Sequence, residues 1–225
     1  MIMNERSFRE DAVPSAHTVS LPHTAPDSAA DARVAGILVA ARHAFAEKGF
    51  DGASMQDLAR AAGMSVGNFY RYFASKAAIV QALIALDIED MARDFLPIFA
   101  SDDPIATLRQ QVRIKLIEHQ CNEDGALWAE ITATALRKPE IGLACGLMET
   151  TIVDYLLQAF AKACGFSPEQ SRAQFAAHAA LIVMLVKSSA MMPQKDETLR
   201  NDLNEMILRI IDQTLDEVAA SSVKG

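Results

Sequence analysis

The stretch SMQDLARAAGMSVGNFYRYFASK, Ser54 to Lys76, limits what this chain can fold into more than any other segment. It reads as two short helices joined by a tight glycine turn, the geometry of a helix-turn-helix. Ser54 is placed to cap the first helix by accepting a hydrogen bond from the backbone N–H of Asp57. The Asp57 carboxylate also suits the positive first turn. Leu58, Ala59 and Ala62 make one apolar face, and the small Ala59 lets a second helix cross closely. Gly63 supplies the left-handed conformation that ends this helix without a Cβ clash. Ser65 then caps a second helix running through Asn68 to about Phe73. Met64, Phe69 and either Tyr72 or Phe73 point inward, which leaves Val66, Gly67, Asn68, Tyr70 and Arg71 facing outward. An outward band of this kind is what a helix needs to enter a DNA major groove.

The same residues resemble the TetR family of one-component transcriptional regulators. The resemblance rests on Gly49-Phe50 at the end of a first helix, the Ser54 cap, the Ala61-Ala62-Gly63 turn and the run Ser65-Val66-Gly67-Asn68-Phe69-Tyr70-Arg71-Tyr72-Phe73. Ser75-Lys76 then opens a fourth helix. The match covers residues 31 to 90, and the remainder shares only length and all-helical character with the family. One departure is Val66, where family members often carry Lys; it removes a phosphate contact or substitutes an apolar contact with a thymine methyl. The resemblance implies a DNA-facing set of Ser54, Ser65, Val66, Gly67, Asn68, Tyr70, Arg71, Tyr72 and Lys76. Ser54, Tyr70 and Lys76 are expected on phosphates, whereas Val66, Gly67, Asn68 and Arg71 are expected at base edges.

A net charge of −8 and a pI near 5.1 look wrong for a DNA binder. The objection weakens once the charge is divided. Residues 31–86 carry Arg33, Arg42, Lys48, Arg60, Arg71 and Lys76 against Asp31, Glu47, Asp51 and Asp57, a net of +2. The acidic load lies elsewhere, where it lowers non-specific affinity for DNA. A charge of +2 is modest, so tight binding requires two reading units on one duplex.

Residues 1–30 are rich in Ala, Pro, Ser, Asp and His without periodicity, and are expected to form a disordered tail. Arg6 and Arg9 can touch DNA as an arm, but the flanking acids favour a solvated tail. The tail has no apolar h-region, so no signal peptide is expected. Helix one carries Val34, Ile37, Leu38, Ala41 and Phe45 and stops at Gly49. Helix four runs from Ser75 to near Pro97. Asp103 with Pro104 starts a helix to about His119, and Asn122 or Asp124 starts another through Trp128 to Leu136. Pro139 opens a helix that Gly165 stops. Ser167-Pro168-Glu169 restarts one that reaches about Met191, with Pro193 closing it, and the last spans 197–219. The fold class is all-α: an N-terminal three-helix helix-turn-helix domain (31–90) plus a helical ligand-binding and dimerisation domain (91–220).

The Ala173, Ala176, Ala177, Ala180 series and the wide apolar stripe of the last helix either finish the core or pair with a second copy. The resemblance implies the second, a homodimer on a palindromic operator. The apolar uncharged run Ala173 to Val186 is shorter than the roughly 20 residues that span a bilayer, so no membrane partner is expected. Three scattered cysteines, Cys121, Cys145 and Cys164, suit a reduced cytoplasmic protein.

The resemblance assigns the effector cavity to helices carrying Phe95, Phe99, Trp128, Thr132, Met148, Tyr155, Phe175, His178 and Met184. The same stripe also reads as plain core. Glu130, Tyr155 and His178 stand out as polar on largely apolar segments. Abundant Met and Ala favour a small hydrophobic effector over a strongly charged one. The five histidines are dispersed, and His119-x-Cys121 stands without a second ligand pair, so neither metal nor other cofactor is expected. Ser221-x-x-Lys224 near the end reads as chance. The competing classes are a helical enzyme and a helical adaptor without DNA binding. Tyr70 and Lys76 argue against the adaptor, since folding requires neither an exposed phenol nor a cation at those positions.

Overall fold

The computed structural model describes residues 29–121, 124–192 and 196–221; at 29, 30, 119–121 and 124 the backbone alone is described. The expectations for the tail at 1–28, for the His119 and Cys121 side chains, for Pro193 and for Lys224 lie outside these residues. The described residues form α1 (Ala29–Gly52), α2 (Met55–Ala61), α3 (Val66–Phe69), α4 (Lys76–Ala100), α5 (Pro104–Cys121), α6 (Asp124–Ala135), α7 (Pro139–Cys164), α8 (Pro168–Met191) and α9 (Glu197–Ala220). No strand occurs among them.

The caps explain most of these boundaries. Asp103 accepts from the Ala106 amide at 2.9 Å, and Ser167 and Gln170 form a reciprocal capping box at the start of α8. Asp196 accepts from Thr198 and Leu199 to open α9. Left-handed glycines at 49, 63 and 165 end the regular part of α1, α2 and α7. Two boundaries differ from the sequence reading. α4 passes through Pro97 to Ala100, because a missing N–H costs little in a last turn whose carbonyls are taken up by Ser101. α3 ends at Phe69 rather than about Phe73. There Arg71 bonds to Asn68 and Tyr72 to Phe69, three residues back, which tightens the chain into turns.

Two apolar clusters hold the molecule. One joins Phe45, Phe50, Leu58, Phe69, Ile79 and Leu83 of α1–α4 to Leu127 and Ile131 of α6 and Ile141 and Met148 of α7. Each such side chain contributes about 1.5–3 kcal/mol on burial. This cluster therefore crosses the boundary expected near residue 90. The other cluster packs α4, α5, α7, α8 and α9 around Phe160, Phe175 and Leu215.

α8 buries Ser171, Phe175, Ala179 and Ile182 on one stripe while Ala173, Ala176, Ala177, Ala180 and Met184 stay exposed. On α9, Leu199, Met206 and Ile210 are exposed. By length and composition α8 is apolar enough to cross a bilayer, a property the uncharged-run count missed because it stopped at the first charge.

Candidate nucleic-acid interface and internal cavity

Ser54 and Asp57 close α2 reciprocally. The Asp57 amide donates to Ser54 Oγ at 3.1 Å and the Ser54 amide donates to Asp57 Oδ2 at 3.0 Å, with the Ser54 hydroxyl donating to the same carboxylate. Lys48 Nζ reaches Asp57 at 2.8 Å. The Lys48 ammonium and then the Ser54 hydroxyl and amide hold the Asp57 carboxyl far below the usual carboxylate range. The polar groups of Ser54 are thus already engaged within the cap.

Ser65 caps α3, accepting from the Asn68 amide at 3.4 Å. Phe69 and Phe73 are buried with ring centroids 6.2 Å apart, which resolves the inward choice in favour of Phe73. Gly67, Asn68, Tyr70, Arg71 and Tyr72 form a contiguous exposed band, Tyr70 being 50% and Tyr72 40% exposed. A Cβ on Gly67 would meet nothing within 4 Å, so the fold itself does not demand glycine there. Val66 is half-buried against the apolar cluster rather than fully outward.

Lys76 differs most from its sequence reading. Its Nζ donates to the carbonyl oxygens of Phe50 at 2.6 Å and Asp51 at 3.2 Å, and lies 4.8 Å from the Phe50 ring centroid. The cation closes the frayed end of α1, so folding does use it. The same peptide is held from the other side. The Phe50 amide donates to Glu130 Oε1 of α6 at 3.1 Å, Arg137 approaches Asp51 at 3.7 Å, and Lys138 lies 5.5 Å from the Phe50 ring. Glu130 is therefore a strut between α6 and the turn after α1 and does not line the cavity.

A cavity of about 410 Å³ lies among α4, α5, α6, α7 and α8. Met91, Phe95, Val112, Trp128, Met148 and Ile152 supply apolar wall. Of the residues expected here, Phe95, Trp128 and Met148 line it. Phe99, Thr132, Tyr155, Phe175 and His178 do not. Tyr155 packs against Phe95 and Phe99 at centroid distances of 5.2 and 6.0 Å, and burial pushes its phenol up. Phe175 is buried beside Phe160, His178 meets Glu217 of α9 at 3.1 Å, and Thr132 donates to the Met191 sulfur. Met184 is exposed. The reason is positional: α8 meets the cavity only from Ile182 onward, beyond Phe175 and His178.

Sequence reasoning missed the charged part of the wall. Asp87, Asp90 and Asp94 recur at three- and four-residue spacing on α4, interleaved with Met91 and Phe95, and that pattern was available to find them. Arg42 of α1 also lines the cavity, paired with Asp87 at 2.8 Å. Among the described residues no group of His, Cys, Asp and Glu is arranged to hold a metal ion.

A capped pair of short helices carried on a helical body with a cavity defines an all-helical helix-turn-helix fold. The chain matches, over residues 37–83, the family model described as bacterial regulatory proteins, tetR family. It is 34% identical over 124 residues to the HTH-type transcriptional regulator UidR of Escherichia coli (strain K12), covering 54% of this chain and 61% of that one. The match thus spans somewhat under two thirds of that relative. The fold is like that of Salmonella enterica GusR, with a TM-score of 0.66 at 22% identity over 86% of this chain and 98% of that one. AibR, solved in complex with isovaleryl coenzyme A and operator DNA, superposes with a TM-score of 0.61 at 18% identity, covering 80% of this chain and 98% of AibR.

Proposed function

We propose that the chain is a cytoplasmic, homodimeric DNA-binding transcriptional regulator, a repressor released from a palindromic operator by a small ligand. The observation that carries this reading is the exposed band Gly67, Asn68, Tyr70, Arg71 and Tyr72 on the capped α3 and the turn that follows it, anchored by the buried Phe69 and Phe73. Residues 31–90 act as the reading unit and 91–220 as the effector and dimerisation unit. Asn68 and Arg71 are the base readers, each discriminating by roughly 1–3 kcal/mol, and Gly67 permits close approach. Ser65, Tyr70, Tyr72 and the third N–H of Lys76 position the phosphate backbone. Ser54 contributes through the helix it caps, because its own polar groups are engaged by Asp57.

The exposed Ala173-to-Met184 face of α8 with Met206 and Ile210 of α9 supports pairing of two copies, which brings two readers to one duplex. The effector occupies the cavity beside α4. A hundredfold loss of DNA affinity requires a coupling of about 2.7 kcal/mol. The fact that AibR was solved with an acyl-CoA and operator DNA supports a ligand-responsive reading of this fold.

Gel shift and footprinting of the DNA upstream of the protein's own gene test the proposal. A two-fold symmetric footprint with half-sites about one helical turn or somewhat more apart is expected. An unshifted fragment, or a single asymmetric half-site, would count against it. Titrating operator in the presence and absence of ligand tests the release step, since the coupling is reciprocal.

A further inference from the structure

The charge distribution in the cavity bears on the class of ligand. Three cations line it, and each already meets carboxylates. Arg42 pairs with Asp87 at 2.8 Å, Lys115 with Asp94 at 2.9 Å and Glu118 at 3.3 Å, and Lys187 with Glu149. Asp90 adds a fifth carboxylate, and its ion-pair partner Arg93 does not line the cavity and is 62% exposed. The described lining thus carries a net of two negative charges. An anionic head entering here must break an existing pair or face the surplus carboxylates, whereas a cationic head meets a complementary field. The Trp128 and Phe95 side chains add aromatic wall beside the carboxylates, an arrangement that favours a positive head over a neutral one.

Resting on the reading that this cavity is the effector site, we infer that it takes an organic cation with an apolar body, a protonated amine or quaternary ammonium carrying an alkyl or aromatic group. The head lies against the Asp87, Asp90 and Asp94 stripe of α4 and the body lies along Met91, Trp128, Met148 and Ile152. Asp87 is also the partner of Arg42, and Arg42 stands on α1 of the reading unit. A cation seated there competes with Arg42 for the same carboxylate, so occupancy acts directly on the tie between α1 and α4.

The test uses the full chain and the emission of Trp128, its one tryptophan. Decyltrimethylammonium, decanol and decanoyl-coenzyme A, each below its micellar concentration, share a chain length and differ in head charge. The ammonium is expected to bind at least tenfold more tightly than either of the others. Asp90→Asn and Asp94→Asn, each confirmed folded by its melting curve, are each expected to weaken the ammonium at least threefold and leave decanol unchanged. If decanol or decanoyl-coenzyme A binds as tightly as the ammonium, the cavity stands as a ligand site and the cation assignment falls. The assignment also falls if the ammonium binds best yet neither substitution weakens it. If none of the three probes perturbs Trp128, both the assignment and the effector reading of the cavity are overturned.

Discussion

Replacing Lys76 by Met separates the clamp seen in the folded chain from the phosphate contact expected from the sequence. Methionine keeps an unbranched stem on the Phe50 ring while removing the ammonium. What is lost is a pair of charge-assisted bonds, 2.6 Å to the Phe50 carbonyl and 3.2 Å to the Asp51 carbonyl. A hydrogen bond to a charged group is worth about 1.5–3 kcal/mol when shielded. The Asp51 bond is open to water, which replaces most of it, so the pair contributes about 2 kcal/mol. The cation over the ring at 4.8 Å adds about 0.5 kcal/mol. For a chain of this size each kcal/mol moves the midpoint by roughly 2–4 °C. Lys76→Met should therefore melt about 5–10 °C lower by circular dichroism, and Lys76→Arg should lie between. A midpoint within 1 °C of the parent would refute the clamp argument. The same variant tests the phosphate role, because loss of one phosphate contact flattens the salt dependence of operator binding by about one unit per subunit. A lowered midpoint with an unchanged salt slope would leave Lys76 as a clamp alone.

Gly67→Ala should leave the melting midpoint unchanged or raised, since its Cβ meets open space, yet weaken operator binding at least tenfold in a gel shift if that space belongs to the groove. Gly125→Ala should do the reverse, lowering the midpoint by an overpacking cost of about 1–3 kcal/mol, because the new Cβ would overlap the Ala190 carbonyl oxygen. The Asp57 carboxyl is depressed in the folded state by Lys48 and Ser54, so its contribution is present above the ordinary carboxylate range and is lost as pH falls through and below it. Melting curves from pH 6 down to pH 2 should accordingly fall more steeply for the parent than for Asp57→Asn. Glu130→Ala should lower stability by about 1–2 kcal/mol by leaving the Phe50 amide without its acceptor, measured by urea unfolding, with Glu130→Gln closer to the parent.

The helix-turn-helix geometry was legible because its signals are local. Ser54, Gly63, Ser65 and Ser75 act on residues within four positions of themselves, and α2, α3 and α4 begin or end where these residues require. The bounds of α5, α7 and α8 were legible for the same reason, through Asp103, Gly165 and Ser167. What the sequence concealed depends on partners far along the chain. Glu130 reads as an isolated polar residue until α6 is laid against the end of α1, eighty positions earlier. Tyr155, Phe175 and His178 share the composition of a pocket wall, and only the packing of α7, α8 and α9 turns them elsewhere. Lys76 carries the clearest lesson. Position suggested a phosphate contact, whereas the folded chain gives its cation two carbonyl partners.

The peptide at Phe50 carries a further consequence for anyone wishing to recombine such proteins. Its carbonyl is gripped from α4 and its amide from α6, while the cluster beneath it takes Leu127, Ile131 and Ile141 from the body. A cut near residue 90 would strip the amide of its acceptor and expose the underside of α1–α3 in one stroke. The two halves are thus not interchangeable modules joined by a hinge. A chimera that moves this helix-turn-helix onto another scaffold must carry over a carboxylate equivalent to Glu130 and an apolar shelf beneath Phe45 and Phe50, or rebuild both.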